Sequence, residues 1–312
     1  MPEEAPEARG QAKGKDRSKA KGVNDIAMRK RVVVEALKDI LSEDELPEVS
    51  AGVDVIGDIA IIKIPEKLER RKHEIGERLL SKMQGVKSVY RQSAPARQGD
   101  RVRGIEWLAG AKSIETCYRE HGCTFHVDLS KVYFSPRLSY ERARIARLVN
   151  EGEVVVNMFA GVGTFSILIA KNASPAHVYS IDNNPYAHHY AVLNCEKNRV
   201  ERIVTLLLGD AKRYSEELGG IADRVLMPLP ELAIEYLPFG IRFLKNEGAI
   251  HLYVHISGGQ KNKAVESAIC EVLPHLEENL KVKQISGRLV RGVGSRRYQV
   301  AVDAEVEKLG KQ

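Results

Sequence analysis

The run Glu153-Val-Val-Val-Asn-Met-Phe-Ala-Gly-Val-Gly-Thr-Phe165 decides the fold. Its three valines favour a buried strand. They lead into a turn holding Gly161 and Gly163, and a helical pattern leaves it. Glycine in such a turn lets a ligand approach the backbone without meeting a Cβ. The dinucleotide fingerprint G-x-G-x-x-G needs a third glycine, and Ser166 stands in that place. The next strand ends at Val178-Tyr-Ser-Ile-Asp182-Asn-Asn-Pro185, which puts Asp182 21 residues beyond Gly161. A doubly wound sheet places its ribose-binding carboxylate there. Such a carboxylate accepts both ribose hydroxyl protons. A third acidic strand end follows at Leu208-Gly-Asp210. Each of these carboxylates alone is equally well a turn residue or a helix cap. In this order the signals together predict a cofactor cleft.

Outward from that run, strand patterns at 153–158, 177–181, 203–208, 223–227, 248–255 and 297–304 alternate with helical patterns at about 165–171, 185–198, 231–245 and 260–278. The alternation predicts an α/β fold, a parallel sheet with helices on both faces. Upstream the pattern differs. Residues 25–42 read as a helix, DVIGDIAIIKI (54–64) as one strand, and 66–83 as a charged amphipathic helix. Further short strands are expected from Val86, at 105–108, at 114–118 and at 124–129, and a helix over 139–149. This divides the chain into a basic, disordered tail (1–24), a helical lead-in (25–49), a small α+β domain (50–135) and a Rossmann-like domain (136–312).

The chain has 312 residues, 43% of them hydrophobic and 29% charged, which excludes a mostly disordered or fibrous protein. A net charge of +6 is compatible with a nucleic-acid partner without demanding one. Four cysteines without a C-x-x-C pair predict neither a disulfide scaffold nor a zinc site, and point to a reducing, cytoplasmic compartment. His188 and His189 have no ligand partner at metal spacing and read as surface or packing residues, so no metal is expected. No apolar segment resembles a signal peptide or reaches bilayer length, so no membrane contact is expected.

Two more runs narrow the chemistry. One is His126-Val-Asp-Leu-Ser-Lys-Val-Tyr133-Phe-Ser-Pro-Arg137-Leu-Ser-Tyr-Glu141-Arg142, the other Asp223-Arg-Val-Leu-Met-Pro228-Leu-Pro230. With N-M-F-A-G-V-G-T-F and I-D-N-N-P, over about residues 50–305, the chain resembles the archaeal and eukaryotic tRNA (guanine-37-N1)-methyltransferase family. A sister family, the wybutosine-pathway aminocarboxypropyl transferases, shares part of the pattern. The resemblance implies a class I methyltransferase sheet that binds S-adenosylmethionine through Arg142, Phe159, Gly161, Gly163, Asp182, Asn183, Asn184 and Asp210. It implies that Glu141 is the base taking the guanine N1 proton, and that Arg101 is the cation at the adjacent carbonyl oxygen, with Arg103 a nearby competitor. Tyr133, Arg137, Pro228 and Pro230 fall at target-base positions. The implied partner is the anticodon loop of tRNA, met by a monomer, and Arg288, Arg291, Arg296 and Arg297 are candidate phosphate contacts. The implied product is 1-methylguanosine at position 37. Alternatives are methyl or aminocarboxypropyl transfer to C7 of a tricyclic guanosine derivative, and a non-catalytic RNA-binding relative. This chain departs from the family at Pro228 (usually Asn), Thr164 (usually Pro) and Asn157 (usually Asp). The family's folded N-terminal module is expected to be absent or reduced to one helix.

Overall fold

The computed structural model describes residues 31–50, 52–96, 102–258 and 260–309. Helices α1 (31–37) and α2 (Leu46–Ser50) precede a four-stranded sheet of β1 (Asp54–Ile56), β2 (Ile59–Ile62), β3 (Ser88–Ala96) and β4 (Arg103–Gly110), in that order. A 3-10 turn over Glu66–Arg71 and helix α3 (Lys72–Lys82) cross from β2 to β3. Val33 and Leu37 of α1 and Ile75 and Leu79 of α3 close over Ile62 and Leu108 to form a small core. The run 54–64, expected as one strand, is a hairpin. Gly57 takes φ +57 and the chain reverses, so Ile56 pairs with Ile59. Both arms bury isoleucine, so composition alone does not show the reversal. The tail 1–24 and the first residues of the expected 25–42 helix lie outside the described residues.

Strands β5 (Glu115–Glu120) and β6 (Cys123–Asp128) form a separate hairpin, and helix α4 (Ser139–Leu148) follows. The large sheet holds β7 (Val154–Asn157), β8 (His177–Asp182), β9 (Val204–Leu208), β10 (Ala222–Met227), β11 (Leu244–Ser257), β12 (Leu280–Gly294) and β13 (Arg297–Lys308). Its order is β12-β13-β11-β10-β7-β8-β9. Strands β7 to β11 pair in parallel, but β13 runs antiparallel between β11 and β12. The sheet is therefore mixed, not wholly parallel. Only Ser295 and Arg296 join β12 to β13, and so short a link can only return the chain antiparallel. Strand β12 escapes sequence reading because it is a half-exposed edge with few consecutive apolar residues.

Helices α5 (Thr164–Asn172) and α6 (Pro185–Asn198) flank β8 in sequence, and α7 (Ala211–Glu217), α8 (Leu237–Phe243) and α9 (Ala264–Glu277) follow. The helix expected over 231–245 is shorter, because Leu244 already opens β11, and the short α7 adds a helix beyond those expected. Alternation along the strands splits the core in two. Val155, Val178, Leu226 and Tyr253 pack with residues of α4, α5 and α6, while Val156, Val225, Ile250 and Leu252 pack with α8 and α9.

Two asparagines of α6 dock the β5–β6 hairpin. Asn198 Oδ1 accepts the Thr124 N–H at 2.9 Å and its Nδ2 donates to Thr124 O at 2.7 Å. Asn194 does the same for His126, at 2.6 and 3.2 Å. The helix thus presents side-chain amides where a neighbouring strand would present peptides. Both amides are buried, so losing one strands backbone groups away from water.

A second polar seam crosses the sheet. Glu153 holds Arg224 through two bonds of 2.8 and 2.9 Å, and Arg224 donates to His251 Nε2 at 2.6 Å. With Nε2 an acceptor, His251 is neutral and donates Nδ1–H to Asp303 at 2.5 Å, directly opposite it in the β11–β13 register. Burial pushes the His251 pKa down, consistent with that tautomer. Burial would raise the Asp303 carboxyl, but its bonds to His251 and Arg144 hold it below the usual carboxylate range.

Asn194→Ala and Asn198→Ala should each lower the unfolding free energy by ~1–3 kcal/mol in urea titrations; wild-type midpoints would show that the amides do not anchor the hairpin. The depressed Asp303 pKa sets a direction for acid stability. Its contribution is full above the unfolded pKa of about 3.9 and is lost as pH falls through the lower folded value. The stability gap between wild type and Asp303→Asn should therefore shrink below about pH 4. A gap constant down to the acid transition would contradict this.

Candidate active site

A cleft opens at the carboxyl ends of β7, β8, β9 and β10, where doubly wound sheets bind ligands. Gly161 and Gly163 shape its floor with φ +56 and +84. A Cβ built on Gly161 meets nothing within 4 Å, so it would project toward the space a ligand takes. Gly163 caps α5, and a Cβ there would lie 2.9 Å from Ile167 Cδ1. Ser166, in place of a third glycine, is fully buried. It accepts from Asn157 Nδ2 at 3.1 Å and donates to Ser180 Oγ at 2.9 Å, tying β7, α5 and β8 together.

The three acidic or amide strand ends each hold backbone as well as facing the cleft. Asp182 Oδ2 accepts the Gly161 N–H at 2.6 Å and Oδ1 the Asn184 N–H at 2.9 Å. Burial pushes the Asp182 pKa up, opposed by those two N–H groups. Asn184 caps α6 by accepting from Tyr186 and Ala187. Asp210 caps α7 and accepts the Tyr236 hydroxyl at 3.0 Å. Tyr236, pushed up to about 12 by burial and then by that bond, packs edge-on against Phe159 at 5.2 Å. Each carboxylate keeps further lone pairs for a ligand. Asn183 completes this wall.

The opposite wall comes from residues 133–142. Tyr133, Ser135, Leu138 and Arg142 line the cleft. Arg142 is 2% exposed and grips Glu120, with one nitrogen at 2.8 Å, while also donating to Ser135 O at 3.2 Å. Arg291 of β12 reaches over to donate to the Tyr133 hydroxyl and to Ser135 Oγ, both at 3.1 Å. Pro228 lines the cleft, whereas Pro230 is buried outside the lining.

Besides Pro230, three expected residues among those described, Gly163, Arg137 and Glu141, stand apart from the lining. Gly163 sits behind the turn it shapes. Arg137 donates to Asp54 at 2.6 Å, and Asp54 also takes Arg103 at 3.0 Å, so both arginines are bound at the small sheet. Arg101 lies outside the described residues. Glu141 is 2% exposed, between the lining residues Leu138 and Arg142 in sequence. Its Oε2 accepts from Arg144 at 2.9 Å and from Tyr253 at 3.2 Å. Its Oε1 lies 3.1 Å from Arg288 Nε but has no hydrogen bond among the described residues. Sequence reading missed Glu120, Arg144 and Tyr236, since lone charged or aromatic residues outside a motif give no signal. Among the described residues no cluster of His, Cys, Asp and Glu is arranged to hold a metal, and no helix is long and apolar enough to cross a membrane.

The glycine cradle, the paired acids and the aromatic wall fit an adenosine-bearing cofactor. Comparison with known proteins agrees. The TRM5/TYW2 methyltransferase domain matches residues 116–286, more than half the chain, and the TYW2 N-terminal domain matches residues 33–113. The chain is 39% identical over 253 residues to tRNA (guanine(37)-N(1))-methyltransferase Trm5b of Pyrococcus abyssi, covering 81% of this chain and 74% of that one. It is 38% identical to tRNA 4-demethylwyosine(37)-methyltransferase Taw21 of Saccharolobus solfataricus, covering 80% and 92%. A solved complex of aTrm5 with tRNALeu superposes with a TM-score of 0.75 at 32% identity, covering 88% of this chain and 77% of that one. The chain therefore belongs to the TRM5/TYW2 family of S-adenosylmethionine-dependent methyltransferases.

Proposed function

We propose that this protein methylates nucleotide 37 of tRNA, with N1 of guanosine the acceptor. The observation that carries this reading is Glu141, a buried carboxylate with one oxygen lacking a hydrogen bond, set in the run that walls the cofactor cleft. Guanine N1 bears a proton and is a poor nucleophile until that proton leaves. Oε1 of Glu141 takes it, and the freed nitrogen lone pair forms the bond to carbon. When bound, S-adenosylmethionine would supply an electrophilic methyl group on a positively charged sulfur, whose bond to that carbon breaks as the nitrogen bond forms and which would leave as a neutral thioether. Asp182 and Asp210 hold its adenosine portion, and Gly161 leaves room for it. Arg101 meets the negative charge that grows on the guanine carbonyl. Arg288 stands over Oε1 and is 28% exposed, so it is the side chain that must give way when the base arrives. Arg142, engaged with Glu120, shapes the wall near the cofactor. The small sheet, carrying Arg103, is the domain that meets the target base. We place the enzyme in the cytoplasm, acting as a monomer on the anticodon loop.

One observation favours a second product. Pro228 lines the cleft where family members usually carry asparagine, so no amide is present there to read the guanine edge. A pocket without that amide suits a tricyclic base, with the methyl going to C7. A single assay separates the two. Unmodified tRNA with G37 and tRNA carrying the tricyclic base are each incubated with methyl-labelled cofactor, then digested to nucleosides. Label in 1-methylguanosine is expected; label only in the tricyclic nucleoside overturns the N1 assignment, and no label with either contradicts both.

Glu141→Gln should lower the single-turnover rate by ~10²–10⁴-fold with cofactor affinity little changed. An unchanged rate removes Glu141 from the base role. Asp182→Ala should weaken cofactor binding in calorimetry far more than tRNA binding, whereas equal losses would mean the adenosine site lies elsewhere.

A further inference from the structure

We infer that Arg144 is a positioning residue that sorts the two oxygens of Glu141, and that Asp303 and His251 fix it in that task. The inference rests on Glu141 being the base. Arg144 follows Glu141 by three residues on α4, so both side chains share one helix face. Its Nε donates to Glu141 Oε2 at 2.9 Å. Its two terminal nitrogens are spent on Asp303, at 2.5 and 3.2 Å. Tyr253 adds a second donor to the same Oε2 at 3.2 Å. One oxygen of Glu141 is thus held by two donors, and the other has none. A carboxylate free to rotate would offer either oxygen, in many directions. Here Oε2 is fixed, and Oε1, which faces the Arg288 guanidinium at 3.1 Å without a hydrogen bond, is the oxygen left to accept a proton once Arg288 moves aside.

The fork of Arg144 explains why a lysine would not serve. A guanidinium holds two acceptors at once in a plane, whereas an ammonium is a point charge on a flexible stem. Behind Arg144 the chain continues through Asp303, His251 and Arg224 to Glu153, each link hydrogen-bonded. These links come from the middle and one side of the large sheet, so the orientation of Glu141 is tied to three of its strands. Charge is also balanced. Glu141, Asp303 and Glu153 face Arg144, Arg224 and Arg288, with His251 neutral between Asp303 and Arg224. This pairing offsets the cost of taking the carboxylate's charge out of water.

The test is a double-mutant cycle on single-turnover methyl transfer in the full chain. Arg144→Met, Arg144→Lys and Asp303→Asn are each made alone and combined with Glu141→Gln. Alone, Arg144→Met should cost ~10–100-fold in rate, with the tRNA KM within about twofold. Arg144→Lys should recover only part of that rate, and Asp303→Asn should show a smaller loss of the same kind. Combined with Glu141→Gln, none of them should add a further loss, because the oxygen they orient is gone. Losses that multiply in the combined variants, or that reside in KM, overturn the positioning role while leaving the base assignment intact. A Glu141→Gln rate equal to wild type overturns the base assignment, and this inference with it. Should Arg144→Met fail to fold, the charge-conserving Arg144→Lys decides the outcome alone.

Discussion

Taking a carboxylate's negative charge out of water is costly unless positive charge accompanies it into the protein. Glu141 is 2% exposed, and its surroundings answer that constraint with Arg144 on the same helix and Arg288 on β12. Each arginine needs support of its own. Arg144 leans on Asp303 of β13, and Arg288 stacks on the ring of Tyr140, 4.7 Å from its centroid. The late strands β12 and β13, far from the cofactor turn in sequence, are thereby bound to the site. They are not mere edge cover for the sheet.

The wall of the cleft at the strand ends follows a different logic. There the side chains that face the cleft also hold the backbone that forms it. Asp182 fixes the Gly161 turn, Asn184 starts α6 and Asp210 starts α7. A ligand bound to these groups meets positions already set by helix caps. Little ordering is left to oppose binding, which is what preorganisation means in practice. The reading of these acids as turn or cap residues and their reading as ligand contacts are thus compatible, not rivals.

Much of this was legible in the sequence. The strand–turn–helix at 153–165 and the two acidic strand ends placed the cleft, because local backbone demands write themselves into glycine and aspartate positions. The pattern failed where a residue's partner is distant. Nothing near Asp54 shows that it binds Arg103 and Arg137, 49 and 83 residues away. Nothing near Asn194 and Asn198 shows that they complete the edge of β6, since polar residues on a helix ordinarily face water. Gly57 lies within an apolar run that reads as one strand, although its left-handed backbone turns the chain. The antiparallel β13 was hidden because strand direction is set by the length of a link, not by the composition of the strand.

The account turns on which atom of Glu141 meets the nucleobase. A crystal structure of the protein with tRNA and a non-reactive cofactor analogue tests it most directly. The account predicts Oε1 within ~2.6–3.2 Å of the acceptor atom, Oε2 still on Arg144, and Arg288 moved aside. A bound base with Arg288 still covering Oε1, and another group at the acceptor atom, would contradict it.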